Sequence, residues 1–258
     1  MASRKSKPLA LVTGSSRGIG LELAKIFAAE GYDLVITSPD QGRLQLAADQ
    51  IKRAAPDARV KSVVADLEKP AGRKKLYDAT KRTGPIDVLV NNAGVGVWGE
   101  FVETDLEDEL AMIQLNVAGV VALSKLFARD MARRGSGRML FTASEASLAP
   151  IALMSVYAAT KAFVYSFALS LREELKDSGV TVTALLPGAT NTNFFNQAGM
   201  KDTKLVRESE LADAREVAQA GYDALMRGDD HVVYPIQERI TSILTKLVPD
   251  RMAVQRVE

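Results

Sequence analysis

The chain has 258 residues, 25% charged and 47% hydrophobic, with a formal net charge of +1. That balance is ordinary for a globular protein and gives no electrostatic reason to expect nucleic acid or an anionic membrane surface as a partner. The absence of cysteine excludes disulfides, thiolate metal sites and cysteine nucleophiles, and it fits a reducing compartment, the cytoplasm.

Residues 1–7 are polar and basic with no apolar core behind them, so they read as a loose tail rather than a secretory signal. No uninterrupted apolar run approaches the ~18 residues of a membrane span, so no integral membrane segment is expected. Leu9–Thr13 is a short apolar run of the kind that makes a buried parallel strand. Gly14-Ser15-Ser16-Arg17-Gly18-Ile19-Gly20 follows at once, and a helical pattern then runs through Leu21, Leu23, Ala24, Phe27 and Ala28 to Gly31. Glycines between a strand and a helix let the backbone turn tightly and bring N–H groups and the positive helix end against phosphates. This placement predicts a dinucleotide-binding loop.

The alternation continues. Residues 34–37 read as a second strand, 44–55 as a helix stopped by Pro56, 60–65 as a third strand followed by Asp66-Leu67, and 73–83 as a polar helix ended by Gly84-Pro85. A fourth strand, 87–90, runs into Asn91-Asn92-Ala93-Gly94. Residues 106–134 make a long helical region with a break expected near Gly119, and 138–142 are strand five. Strand six, 180–186, ends at Pro187-Gly188. Repeated strand–helix units joined by right-handed crossovers imply an α/β fold, a doubly wound parallel sheet of the Rossmann type with about seven strands and helices on both faces. Beyond Pro187-Gly188, residues 212–225 read as a helix closed by Gly228 and 231–234 as a short seventh strand. Ile236, Ile240, Ile243, Leu244 and Leu247 give an apolar stripe on a last short helix. No linker marks a second domain, so one domain is expected over 8–258.

Between strands five and six lies the stretch richest in chemistry, Tyr157-Ala158-Ala159-Thr160-Lys161. Val156, Phe163, Val164, Phe167, Leu171 and Leu175 recur at helical spacing, so Tyr157 and Lys161, four apart, share a helix face. An ammonium beside a phenol favours the phenolate, which predicts a Tyr157 pKa below the usual ~10 and proton transfer close to neutral pH.

In this order the motifs resemble those of the short-chain dehydrogenase/reductase family over essentially the whole chain. Thr13-Gly14-Ser15-Ser16-Arg17-Gly18-Ile19-Gly20 is similar to the family's Thr-Gly-x-x-x-Gly-x-Gly cofactor loop, and Asn91-Asn92-Ala93-Gly94 to its Asn-Asn-Ala-Gly segment. Ser144, thirteen residues before Tyr157, holds the place of the catalytic serine, and Asn116 that of the helix asparagine. Pro187-Gly188-Ala189-Thr190-Asn191-Thr192 resembles the segment at the nicotinamide end, and Asp66-Leu67 the adenine contact. The resemblance implies a carbonyl–alcohol oxidoreductase with Asn116, Ser144, Tyr157 and Lys161 as its catalytic set. Tyr157 would exchange a proton with the substrate oxygen and Ser144 would hold that oxygen. Lys161 would lower the tyrosine pKa and bind the nicotinamide ribose, and Asn116 would anchor a water leading to solvent. No metal is implied. Dimers or tetramers are, formed through the helices near 106–134 and 155–177.

The cofactor choice turns on the end of the second strand. NAD-dependent relatives usually carry an acidic residue there to bind the ribose; this chain has Ser38, followed by Pro39 and Asp40. Ser38 does not repel a 2′-phosphate, and Arg17 in the glycine loop is placed to attract one. NADP is therefore favoured, with NAD left open because Asp40 is able to reach back and Arg43 to swing either way. Leu148, Ile151, Leu153, Met154, Phe194, Phe195 and Met200 suggest an apolar pocket with a lid over 190–210. Trp98 is a possible pocket residue. Glu145, beside Ser144, reads as a solvated loop residue and His231, the sole histidine, as structural. Two rival functions stay open: an epimerase built on the same tyrosine and lysine, and a nicotinamide sensor without turnover.

Overall fold

The computed structural model describes residues 7–200, 203, 207, 211–235 and 255–256. β1 (Leu9–Thr13), α1 (Gly18–Ala29), β2 (Asp33–Ser38), α2 (Gln41–Ala54), β3 (Val60–Val64), α3 (Pro70–Lys81) and β4 (Val88–Asn91) form the first half of the chain. The second half begins with α4 (Leu106–Ile113), a π-helical turn (Gln114–Gly119) and α5 (Val120–Arg134). β5 (Gly137–Thr142), a 3₁₀ turn (Glu145–Ser147), β6 (Ile151–Ala152) and α6 (Ser155–Leu175) follow. β7 (Val180–Pro187), α7 (Phe194–Gln197), α8 (Ala214–Arg227), β8 (His231–Tyr234) and β9 (Gln255–Arg256) complete the described chain.

Seven strands pair in the order β3-β2-β1-β4-β5-β7-β8, every neighbouring pair parallel. The order reverses between β1 and β4, so the chain leaves these two adjacent strands toward opposite edges and a crevice opens beyond their C-terminal ends. One apolar layer lies under α3, α5 and α6, with Leu76, Phe127, Met131 and Val164 against Leu11, Leu89 and Phe141. The other lies under α1, α2 and α8, with Phe27, Ile51, Val217 and Leu225 against Val12, Ile36 and Val90. The near-continuous apolar strands of the sequence are thus explained by burial on both faces. Helix starts follow capping chemistry: Asp40 accepts from Arg43 N at 2.9 Å to open α2, Pro70 opens α3, and Asp213 accepts from Arg215 N at 2.8 Å to open α8.

Two features differ from expectation. The long helix is not broken at Gly119; it widens into one π turn and continues. Gly119 sits in that turn because the helix passes hard against the end of β3, where a Cβ would come 3.2 Å from Leu67 O. The helix over Leu106–Arg134 is also long and apolar enough, by length and composition, to cross a membrane, although no unbroken apolar run signals it. Leu123, Phe127 and Met131 pack it onto the sheet, while Leu106 and Leu110 are exposed. Beside the main sheet, β6 pairs with β9 through Ile151↔Gln255 and Ala152↔Arg256. Residues 1–6 and the stripe from Ile236 to Leu247 lie outside the described residues. The proposed lid range is described through Met200 and at Thr203 and Arg207.

Candidate active site

The crevice holds a cavity of about 490 Å³ that runs from the glycine loop to the side chains before and after α6. Its floor is a set of strand ends tied together by short polar side chains. Thr13 Oγ1 donates to Val90 O at 3.0 Å and accepts from Asn92 N at 2.9 Å and Ala93 N at 3.0 Å. Asn92 Nδ2 donates to Thr13 O at 3.0 Å, and Asn92 Oδ1 accepts from Thr142 Oγ1 at 3.3 Å. These bonds fix β1, β4 and β5 relative to one another at the switch point. Each buried polar group in them is satisfied, so the network adds rigidity without a desolvation debt.

The glycine loop lies flush on this floor. A Cβ at Gly14 (φ +64°) would fall 2.8 Å from Ala93 Cα, and one at Gly20 would fall 2.4 Å from both Asn92 Nδ2 and Gly14 O. Only hydrogen fits at either position. No side chain caps α1, whose N-cap is Arg17, so the first N–H groups of the helix remain as donors where Gly18, Ile19 and Gly20 line the cavity. Orphan donors at a helix N-terminus suit an anionic phosphate, and the residues present therefore fit a dinucleotide. Ser16, Arg17, Ser38, Asp66, Leu67, Asn92, Ala93, Gly94, Pro187, Gly188, Thr190 and Thr192, all expected from the sequence, also line the cavity.

Ser144, Tyr157 and Lys161 meet at the other side of the cavity. Ser144 ends the connection from β5 and caps the 3₁₀ turn, accepting from Ala146 N at 3.1 Å. Tyr157 and Lys161 project from the first turns of α6, and both are buried. Lys161 Nζ donates to Thr142 O at 2.9 Å and stands 5.8 Å from the Tyr157 ring centroid. Asn116 lies behind Gly94 rather than on the cavity wall. Its amide donates to Val95 O at 2.9 Å and Thr160 Oγ1 at 3.1 Å, and its Oδ1 accepts from Val95 N at 3.1 Å. A Cβ on Gly94 would stand 3.2 Å from both Asn116 Oδ1 and Lys161 Nζ.

The electrostatics correct one expectation. Burial pushes the Tyr157 phenol up to about 12; a hydrogen bond with the Ser144 side chain pulls it down and the Glu145 charge pushes it further up. Burial brings Lys161 down to about 8. The sequence suggested a tyrosine made acidic by its lysine. Here desolvation of the phenolate, with the Glu145 charge behind it, decides the sign, while the Lys161 ammonium is engaged by Thr142 O.

The cavity's outer half is apolar. Ala146, Ile151, Met154, Phe194, Phe195 and Met200 line it, and the Phe194 ring lies 5.2 Å from that of Tyr157 at 47°. Gly96 makes this possible, since a Cβ there would come 2.6 Å from Phe194 Cζ. Leu148, Leu153 and Trp98 are not on the wall. Leu153 adopts φ +66° between β6 and α6. The backbone N–H of Trp98 donates to Ala198 O at 3.1 Å, tying the β4 loop to the segment that carries α7. Asp40 caps α2 and pairs with Arg43 at 3.2 Å.

One residue escaped the sequence reading. Arg73, buried on α3, donates through Nε to Leu67 O at 2.7 Å and through Nη2 to Glu68 O, Gln114 O (3.2 Å) and Gln114 Oε1 (3.1 Å). It joins the loop after β3, on the cavity wall, to the π turn that carries Asn116. A lone arginine in a polar helix gives no signal of this kind in the sequence.

A doubly wound sheet with a glycine cradle at its switch point and a Ser–Tyr–Lys cluster beside it defines a dinucleotide-dependent oxidoreductase. The family model "short chain dehydrogenase" matches residues 8–203, and the chain belongs to that family. Ketoacyl reductase HetN from Nostoc sp. is 32% identical over 242 residues, spanning 92% of this chain and 82% of that protein. A short-chain dehydrogenase from Sphingobium yanoikuyae, solved in complex with NADPH, superposes with a TM-score of 0.83 at 30% identity over 95% of this chain and 99% of its own. A family member from Burkholderia phymatum, solved with NAD, gives a TM-score of 0.85 at 25% identity over 94% of each chain. The protein is an NAD(P)-dependent dehydrogenase/reductase acting on CH–OH or C=O.

Proposed function

We propose that the protein reduces a carbonyl group of a fairly apolar small molecule to a secondary alcohol, with NADPH as its cofactor. The observation that carries this reading is the meeting of Ser144, Tyr157 and Lys161 on the wall of one cavity whose far end is the glycine loop. A bound nicotinamide dinucleotide supplies the hydride. The α1 N-terminus and the glycine loop would hold its phosphates, Asp66 and Leu67 its adenine end, and Lys161 with Pro187, Gly188, Thr190 and Thr192 its nicotinamide end.

The chain's own residues supply the proton and the orientation. A phenol raised to about 12 stays protonated at neutral pH, so Tyr157 is a loaded proton donor for a carbonyl oxygen as negative charge builds on it. Ser144 Oγ holds the same oxygen. Lys161, cationic below about 8, stabilises the phenolate left behind. Asn116 Oδ1 and Lys161 Nζ both stand close behind Gly94, and a water between Lys161 and solvent would return the proton.

NADPH is favoured by the wall around Ser38. Arg17 and Arg43 both line it, and the Arg17 guanidinium is brought down by burial and by Arg43, with Asp40 opposing. Two neighbouring guanidinium groups are relieved by an added anion such as a 2′-phosphate. Asp40, the carboxylate able to compete, is held by the α2 N-terminus and Arg43. The exposed Leu106, Leu110 and Phe163 on α4 and α6 support a homodimer or homotetramer through these helices, checked by mass from light scattering. The functional test is NADPH and NADH consumption against a panel of carbonyl compounds with Tyr157→Phe as control. Turnover preferring NADPH and lost by about a thousandfold in the variant supports the reading. No turnover with either cofactor, or a preference for NADH, overturns it.

A further inference from the structure

The apolar half of the cavity contains one charge that the proton chemistry does not use. Glu145 directly follows Ser144, opens the 3₁₀ turn, is half-buried and lines the cavity. Among the described residues its carboxylate has no hydrogen-bond or ion-pair partner, whereas Arg43 and Asp40 on the same cavity pair with each other. Its negative charge is felt at the Tyr157 hydroxyl, beside which the reductase reading puts the substrate oxygen. The other charged residues on the described wall lie elsewhere. Arg17, Asp40 and Arg43 surround Ser38, Asp66 and Glu68 follow β3, and Lys161 is bonded to Thr142 O. Ala146, which follows Glu145 directly, clusters with Ile151, Met154 and the two phenylalanines of α7, all on the same cavity. A single carboxylate in an apolar, partly dehydrated enclosure acts at higher strength than one in water.

Resting on the reductase reading, we propose that Glu145 selects substrates by charge. Neutral carbonyl compounds, and those carrying an ammonium group near the carbonyl, enter the site; those carrying a carboxylate or phosphate in that position are rejected. A substrate anion here meets like charge while the one cation of the catalytic cluster, Lys161, is already bonded to Thr142 O, and a substrate ammonium finds a carboxylate with no partner among the described residues.

The test uses one aryl alkyl ketone scaffold made in three forms: neutral, with a quaternary ammonium, and with a carboxylate at the same position. Reduction is measured with NADPH, and binding to the NADP⁺-loaded protein is measured separately by calorimetry. The ammonium form is expected to exceed the carboxylate form by at least about tenfold in both kcat/KM and affinity, about 1.4 kcal/mol. The ratio is expected to fall toward unity in Glu145→Gln, to invert in Glu145→Lys, and to shrink with added salt in the unsubstituted protein. NADP⁺ binding by each variant reports that it is folded. A ratio near unity in the unsubstituted protein, or one that Glu145→Gln and Glu145→Lys leave unchanged, overturns the proposal while reduction of the neutral ketone leaves the reductase reading intact. Charge-selective binding without turnover of any ketone does the reverse: the selection stands and the reductase reading falls.

Discussion

The two halves of the cavity are built by different means. The cofactor half is backbone: strand ends, a glycine loop and a helix N-terminus, cross-tied by Thr13, Asn92 and Thr142 through side-chain hydrogen bonds. The substrate half is side chains, mostly apolar, contributed by a 3₁₀ turn, a two-residue strand and a four-residue helix. In the first, tolerance is set by steric contacts under 3 Å at Gly14 and Gly20, and almost any change is felt. In the second, tolerance is set by volume and contact area, which neighbours are able to readjust. One half fixes what every cofactor shares, and the other leaves room for what differs between substrates.

Variants that damage one half and spare the other sharpen this contrast. The largest effect is expected from Gly20→Ala. Its Cβ collides with Gly14 O and Asn92 Nδ2, so the affinity for NADPH should fall by about a hundredfold, some 3 kcal/mol, as read by fluorescence titration. An affinity within threefold of the original would mean that the cradle yields. Next comes pH. With Lys161 at about 8 and Tyr157 at about 12, the reduction rate should be flat below about pH 8 and fall up to tenfold per unit above it. Stability has the opposite sign there. The folded protein holds Lys161 at about 8 against 10.5 for an unperturbed lysine, so between those values the unfolded chain binds more protons and folding is favoured as pH rises. The stability difference between the unsubstituted protein and Lys161→Met, followed by urea titration from pH 7 to 9.5, should therefore move in favour of the lysine while activity declines. A rate that stays level to pH 10 would assign the proton chemistry to other groups.

Arg73→Met is expected to raise the KM for NADPH and lower kcat together, each by about tenfold, since it leaves the Leu67, Glu68 and Gln114 oxygens without their donor. Arg73→Lys should not rescue it, because one ammonium does not reproduce the planar fork. Full rescue would reduce the residue to a generic charge. The smallest effect is expected from Phe194→Ala. Opening the apolar half should raise the KM for a carbonyl substrate by about fivefold and leave NADPH affinity unchanged; a matching loss of cofactor affinity would erase the division between the halves.

The same contrast explains what was legible in the sequence. Glycine between an apolar run and a helix has few structural alternatives, so Gly14, Gly18 and Gly20 were readable, as was the sheet from its uniformly apolar strands. Tyr157 and Lys161 were readable as a pair because helical spacing places them together. Their electrostatics were not, because burial decides the sign and the sequence does not state that Lys161 donates to Thr142 O. Arg73 was invisible because its four acceptors are oxygens from three other positions, one of them, Gln114, in a distant part of the chain. Phe194 and Met154 were readable as apolar content, while Trp98 and Leu153, equally apolar, turned out to hold the loop from behind.

The π turn at Gln114–Gly119 also bears on how this chain tolerates insertion and deletion. Such a turn seats one residue more than an α-helical turn in about the same rotation, so a count of 3.6 residues per turn carried from one helix into the next slips by one position. α4 and α5 are therefore out of phase, although they are one rod. Deleting any single residue of the turn would restore an unbroken α-helical repeat and raise local helical regularity. It would also rotate Asn116 off Val95 and Thr160, or α4 off its seat. A one-residue deletion here should yield a protein that folds with undiminished helix content and has lost its alignment, a frameshift written in angle rather than in reading frame.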